Sequence, residues 1–129
     1  VQLFNMVWHC PAEGIVPDPQ RYGRRSYETA MLVTFGDRKI VAPRDLSIQA
    51  PRESATRVHR SQKPLRVLEH FFEMFVDNSS VVLDPTAGSA TSLIAANRLN
   101  AKEIVGLELD PAIYEKAYAH INSAVSIKL

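Results

Sequence analysis

The sequence runs to 129 residues, 46% of them apolar and 22% charged, which suits one globular domain with its own core and excludes a disordered or fibrous chain. No apolar run approaches a membrane span and the first residues carry no basic-then-apolar leader, so a cytoplasmic location is the expectation. The single cysteine, Cys10, excludes an internal disulfide framework, and His9-Cys10 is too sparse for zinc, so no metal site is expected.

A net charge of +1 conceals three blocks: residues 1–19 hold two acids and no Lys or Arg, residues 20–66 hold eleven Lys or Arg against four acids, and residues 67–129 hold four against eight. A basic block beside an acidic one is what a DNA-facing surface would look like. A solvated loop whose arginines pair with local acids has the same composition.

In chain order, Leu3 to Trp8 reads as a strand, and Cys10 to Gln20, with Pro11, Gly14, Pro17 and Pro19, as a loop. Arg21-Tyr22-Gly23-Arg24-Arg25 interleaves cations with an aromatic, a pattern suited to phosphates and base stacking, or equally to a polar loop. Tyr27 to Phe35 is a second strand, ended by Gly36-Asp37. Residues 37–62 keep no sustained period and read as a long basic loop, a length that favours function or mobility. Its Arg52, Arg57 and Arg60, with Arg24 and Arg25 upstream, are the candidates for gripping a nucleic-acid backbone; His59 has no visible partner and reads as structural. Pro64 opens a helix, and Leu65, Leu68, Phe72, Phe75 and Val76 repeat at three- and four-residue steps as its apolar stripe. Asp77 to Ser80 is the turn into the next strand.

The chain is organised around Val81-Val82-Leu83-Asp84-Pro85-Thr86-Ala87-Gly88-Ser89-Ala90-Thr91-Ser92. Three branched apolar residues form a buried strand that Asp84-Pro85 stops, Gly88 permits a tight turn, and Ser89, Thr91 or Ser92 caps a helix running through Leu99. A second unit follows: Ile104 to Asp110 reads as a strand ending in acids, then Pro111 starts a helix whose Ile113, Ala117 and Ile121 share a face. Strand, helix, strand and helix within about forty residues imply a parallel, right-handed crossover.

This turn is built for a ligand at the helix N-terminus. One glycine does not suit a pyrophosphate, for which three are usual, and the G-K-[ST] ending of a phosphate loop is absent. A phosphate-free nucleoside ligand asks for less room. S-adenosylmethionine (SAM) fits: Asp84 suits its ammonium, turn amides its carboxylate, and Glu108, about twenty residues after Gly88, its ribose hydroxyls. An ordinary βαβ unit with acids at its strand ends is the plain alternative.

These residues resemble a family. Asp84-Pro85-Thr86-Ala87-Gly88-Ser89-Ala90-Thr91-Ser92 is similar to the D-P-F-x-G-S-G-T-T motif of SAM-dependent DNA amino-methyltransferases. His59-Arg60-Ser61-Gln62-Lys63-Pro64-Leu65 resembles their H-x-x-Q-K-P-x segment, and Gly106-Leu107-Glu108-Leu109-Asp110 with Tyr114 their G-x-E-x-D…Y segment. The order resembles the class in which the catalytic motif precedes the SAM motif. The clear match covers residues 59–122; Trp8 and Tyr27-Glu28 match loosely the W and Y-E of an edge hairpin. Thr86, where the family usually has an aromatic, and Ala90, where it has glycine, are departures.

The resemblance implies a partial, Rossmann-like α/β methyltransferase fold, a mixed sheet with a parallel βαβ unit and an antiparallel hairpin: a single partial domain over 1–129, with an edge hairpin over 1–36, a basic loop over 37–62 and a SAM-binding αβαβα unit over 63–129. It implies cofactor contacts from Gln62, Lys63 and Pro64, from Asp84, Pro85, Thr86, Gly88, Ser89 and Thr91, and from Glu108 and Leu109. Double-stranded DNA is the implied substrate, methylated on an exocyclic amino group of adenine or cytosine. The [DNS]-P-P-[YFW] motif that holds the flipped base in that family does not occur in these 129 residues. Hence this sequence is expected to be the C-terminal part of a larger enzyme, inactive alone, partnered by the N-terminal part or by a second copy. Without the strand that bears that motif, strand edges are left unpaired. The alternatives are a non-catalytic SAM-fold DNA-binding or assembly module, and an RNA or small-molecule methyltransferase.

Overall fold

A computed structural model describes residues 1–10, 26–37, 40–52, 57–58 and 61–124. Gln2–His9 (β1) and Tyr27–Thr34 (β2) pair antiparallel, with Gln2 opposite Thr34 and His9 opposite Tyr27. Ser47–Gln49 (β3) lies parallel to β1 on its other side, giving the order β2-β1-β3. Then come Leu65–Phe72 (α1), Val81–Asp84 (β4), Thr91–Arg98 (α2), Glu103–Gly106 (β5) and Pro111–Ala124 (α3). β4 and β5 pair in parallel, Val81 opposite Glu103 and Asp84 opposite Gly106.

Alternation along β1 turns Met6 and Trp8 inward, where they meet Cys10, Ala50, Val67, Phe71 and Met74 in the main core, with Leu32, Ile48 and Phe75 beside it. The Trp8 indole N–H donates to Ala50 O at 2.7 Å, so the ring is buried without an orphaned donor. α1 thus covers the first sheet; it also packs on α2, which lies on β4 and β5 and buries Ile94, Ala95 and Ala96. At the turn into β4, Asp77 Oδ1 accepts from Ser79 N–H at 2.9 Å and from both serine hydroxyls, Ser79 and Ser80. This is the self-bonding that makes Asp and Ser turn residues.

Among the described residues the strands lie in two sheets, β2-β1-β3 mixed and β4-β5 parallel, with no strand paired on the outer edges of β2 and β4. Four expectations are corrected. Val81 and Leu83, expected in a buried strand, are both 62% exposed: alternation turns them to one face of β4, and that face is left to solvent. β3 lies inside the stretch read as loop: three residues are too short to show a period, and pairing with β1 forms it, with Val7 N–H on Leu46 O and Ala50 N–H on His9 O. α1 ends at Phe72, four residues early; Phe75 N–H still bonds Phe72 O at 3.0 Å, so the apolar stripe continues through a tightened turn. β5 ends at Gly106, which leaves Glu108 on the following turn.

Candidate functional site

The site begins where β4 and β5 end side by side. Leu107 N–H donates to Asp84 O at 2.9 Å and Ala87 N–H to Leu107 O at 2.8 Å, so the ladder runs on past both strands and joins the two turns. Asp84 closes the first turn on itself: Oδ1 accepts Thr86 N–H at 3.0 Å, and Oδ2 accepts the Ser92 hydroxyl at the start of α2. Glu108 closes the second: Oε1 accepts Asp110 N–H at 2.9 Å, and Oε2 reaches across to Gly88 N–H at 2.9 Å. Two acids at neighbouring strand ends therefore hold one turn, from Thr86 to Ser92, at several points.

That turn needs two left-handed residues, Gly88 at φ +54° and Ala90 at φ +60°. For Gly88 the conformation is free; for Ala90 it costs about 1–2 kcal/mol. The helix expected to be capped by Ser89, Thr91 or Ser92 starts instead behind Ala90 with no side-chain cap. The hydroxyls are spent elsewhere: Ser89 Oγ and Thr91 Oγ1 bond each other at 2.9 Å, and Ser92 bonds Asp84. The first intrahelical bond is Ile94 N–H to Ala90 O, so the amides of Thr91, Ser92 and Leu93 precede the ladder. Asp110 does cap α3, accepting Ala112 N–H at 2.8 Å and Ile113 N–H at 3.2 Å.

Behind the turn, Gly106 has no room for a side chain: a Cβ there would press on the Leu93 side chain and sit 3.1 Å from Ala87 Cβ. A cavity of about 180 Å³ lies beside it, between Ala87, Leu93, Glu108 and the α3 residues Tyr114 and Ala117. One residue here had no signal in the sequence. His120 of α3 has Nδ1 2.8 Å from Ser89 O; a carbonyl only accepts, so Nδ1 carries the proton.

Asp84, Thr86, Gly88, Ser89, Thr91 and Glu108 thus belong to one hydrogen-bonded unit, followed by the exposed Leu109. The Gln62–Pro64 segment bonds to other partners. The buried Gln62 accepts Val58 N–H at 2.8 Å, Lys63 Nζ pairs with Glu28 Oε2 at 2.7 Å, and Pro64 O receives Val67 N–H at 3.1 Å at the start of α1. Glu28, on β2, also binds the Arg52 guanidinium, which lies 4.9 Å from the Trp8 ring centroid with Cys10 Sγ nearby. Burial pushes the Glu28 carboxyl up, but hydrogen bonds and charge from Lys63 and Arg52 outweigh it, so it sits below its ordinary value. Burial likewise lowers Arg52, and the Glu28 carboxylate more than reverses it. Arg52, expected to reach for a nucleic-acid backbone, is therefore engaged within the hairpin. Arg57 lines an open cleft of about 470 Å³ with Lys116, His120 and Ser123. Arg24, Arg25, His59 and Arg60 lie outside the described residues.

Residues 2–119 match the model of the N6/N4 methyltransferase family, described as DNA methylase. Over 59 residues the chain is 39% identical to the type II methyltransferase M.HindIII of Haemophilus influenzae, a match covering 46% of this chain and 19% of that protein. Among solved structures, the M1.HpyAVI–SAM complex superposes with a TM-score of 0.77 at 17% identity, over 92% of this chain and 61% of that one. TTHA0409 of Thermus thermophilus, complexed with S-adenosyl-L-methionine, superposes at 0.69 and 24% identity, over 95% and 53%. The cytosine-N4-specific PvuII DNA methyltransferase gives 0.64 and 16%, over 93% and 56%. These likenesses establish the Rossmann-like methyltransferase fold, and the chain spans between a fifth and three-fifths of the proteins it matches.

Proposed function

The chain belongs to the N6/N4 DNA methylase family, and we propose that it is the SAM-binding part of an enzyme that methylates the exocyclic amino group of adenine or cytosine in DNA. The observation that carries this reading is the Gly88–Glu108 hydrogen bond, which brings the single-glycine turn and the acid of the next strand into one site.

The residues present fit the ligand. Each carboxylate oxygen of Asp84 and Glu108 takes one donor from the two joined turns or the start of α2, and each keeps a further lone-pair position. Glu108 can accept a pair of ribose hydroxyls, and Asp84 can face an ammonium. The amides ahead of the α2 ladder suit a carboxylate, aided by the helix dipole. Lys63 uses one of its three donors on Glu28 and keeps two. Bound SAM would supply an electrophilic methyl on a sulfonium. The part left to this chain is positioning, the larger share of an in-line transfer. Gln62–Pro64, Asp84 to Thr91, Glu108 and Leu109 would hold the donor, while Arg57 and the arginines of the basic block would hold DNA phosphates.

The groups that accept the target amino hydrogens would come from outside these 129 residues. A groove of about 460 Å³ supports this: it is lined by residues of β2 and β4, strands with unpaired outer edges, and by Phe72 at the end of α1 with Phe75 and Val76 just beyond it. On or beside the strands Leu3, Met31, Val33, Phe35, Val81, Leu83 and Leu107 are exposed, and of these Val81 and Leu83 lie on the parallel β4–β5 pair, a kind of sheet normally covered on both faces. The remainder of the enzyme is the partner that this groove and these side chains fit. Within the one domain, 63–129 would be the cofactor unit and 1–36 the edge hairpin.

The test is methyl transfer from labelled SAM to duplex DNA by the intact enzyme, with the product base identified. N6-methyladenine or N4-methylcytosine supports the reading. SAM binding without transfer to DNA favours a non-catalytic module, and transfer to RNA alone moves the substrate.

A further inference from the structure

We infer that Glu28, on the hairpin strand β2 and outside the glycine-turn site, is a positioning residue for SAM, acting through Lys63. This rests on the reading above that Gln62–Pro64 lines the cofactor.

Lys63 stands one residue before Pro64, behind which α1 starts, and its side chain is 42% exposed. A lysine so placed has a flexible stem and a strongly hydrated head, and holds no fixed direction by itself. Glu28 supplies one. Its carboxylate, 21% exposed, takes Lys63 Nζ at 2.7 Å on Oε2 and Arg52 on Oε1, so both oxygens are committed and the carboxylate is clamped from two sides. The clamp is anchored in turn: Arg52 lies over Trp8, which is 3% exposed and bonded to Ala50 O. A chain of contacts therefore runs from the main core through Arg52 and Glu28 to the Lys63 ammonium. Gln62 next to it is fixed independently by Val58 N–H. Lys63 is thus the member of the cofactor segment whose orientation depends on a distant strand.

The pairing also sets how much of the lysine charge a ligand meets. An ammonium beside one carboxylate retains donors for a second, so the SAM carboxylate would bind an ammonium already aimed and partly desolvated. Glutamine at position 28 keeps the size and one acceptor but removes the charge that orders both cations.

The experiment is calorimetric titration of the intact enzyme with SAM, for Glu28→Gln, Lys63→Met, the double variant, and Val67→Ala as a core-destabilised control. Glu28→Gln and Lys63→Met are each expected to weaken SAM about tenfold, the scale of one charge-assisted hydrogen bond. The double variant should bind no more weakly than Lys63→Met alone, and Val67→Ala should bind within about twofold of the parent, since it removes core volume but keeps the Glu28–Lys63 ion pair. Multiplying losses in the double variant overturn the inference, as does a comparable loss in Val67→Ala, which would make Glu28 a matter of stability alone. Normal affinity in Glu28→Gln with weak binding in Lys63→Met removes Glu28 and leaves the cofactor segment standing. Normal affinity in Lys63→Met removes that segment from the site, and this inference with it.

Discussion

The amide of Gly88 donates to Glu108 Oε2 at 2.9 Å across twenty residues of sequence, and the other oxygen of that carboxylate takes the Asp110 amide at 2.9 Å. Glu108 is thus fixed in place by backbone before any ligand arrives. Its side chain has a structural duty, to hold the turn, and a proposed binding duty, to accept ribose hydroxyls.

Those duties separate by substitution. Glu108→Gln keeps one acceptor and the length of the side chain, and should melt within a few degrees of the parent. Glu108→Ala frees two amides and should lose about 1 kcal/mol of stability. Both should weaken SAM, Glu108→Ala by about tenfold or more. Calorimetry beside thermal melts decides it: unchanged affinity in Glu108→Ala takes the residue out of the site.

Asp84 works the same way from the other strand. Asp84→Asn can still accept from Thr86 N–H or the Ser92 hydroxyl but carries no charge, whereas Asp84→Ala abandons both donors. Asparagine should therefore cost affinity for SAM more than stability. Alanine should cost both, with about 1–3 kcal/mol lost from folding. Equal affinity for Asn and the parent would show that no cation faces Asp84.

Gly106 marks the closest packing behind the site. Gly106→Ala must displace the Leu93 side chain and crowd Ala87 Cβ, 3.1 Å away, and overpacking of this kind costs about 1–3 kcal/mol. Shortening the neighbour should return part of that loss, so Gly106→Ala with Leu93→Ala should be more stable than the two single losses added. Additive losses in denaturant titrations would mean that the two side chains do not compete.

Much of this was legible because the signals were local. Gly88 must turn, Pro111 must open a helix, and Val81-Val82-Leu83 must extend as a strand; each follows from one residue's own stereochemistry. The burial expected of that strand was not local: Val81 and Leu83 stand exposed, because burial depends on what packs over them. What escaped was set by partners distant in sequence. β3 exists because β1 offers it a ladder. Glu28 looked like one acid on a strand until Arg52 and Lys63 met on it, 24 and 35 positions later. His120 reaches Ser89 O from 31 residues away. The caps of α2 were misassigned because three hydroxyls within four residues looked interchangeable, and only the fold decides which of them turns to Asp84.

Acid stability should report on Glu28. Its folded carboxyl lies below the ordinary 4.5 because Lys63 and Arg52 outweigh burial, so the ionised form is favoured by folding. Stabilisation from this group is complete above pH 4.5, where the unfolded carboxyl is also ionised, and disappears as pH falls through the lower folded value. Glu28→Gln should be less stable at neutral pH and should flatten the acid limb of a stability-against-pH curve. A parallel curve, merely shifted down, would mean that Glu28 titrates alike in both states.

The groove between β2 and β4 sets the behaviour of these 129 residues on their own. Among the described residues β2 pairs only with the strand β1 and β4 only with β5, so each keeps an edge with no strand partner, and residues of both line a groove of about 460 Å³. Met31 and Val33 on one edge strand are 64% and 39% exposed, and Val81 and Leu83 on the other are both 62% exposed. Unpaired edges with apolar side chains recruit another strand, and for the chain in isolation that strand comes from a second copy. Sedimentation should therefore show concentration-dependent self-association of the isolated chain. Val33→Lys with Leu83→Lys should suppress it, because a charge on each edge opposes pairing. A cooperative thermal transition from a species that stays monomeric at all concentrations would show that the two edges are closed in solution.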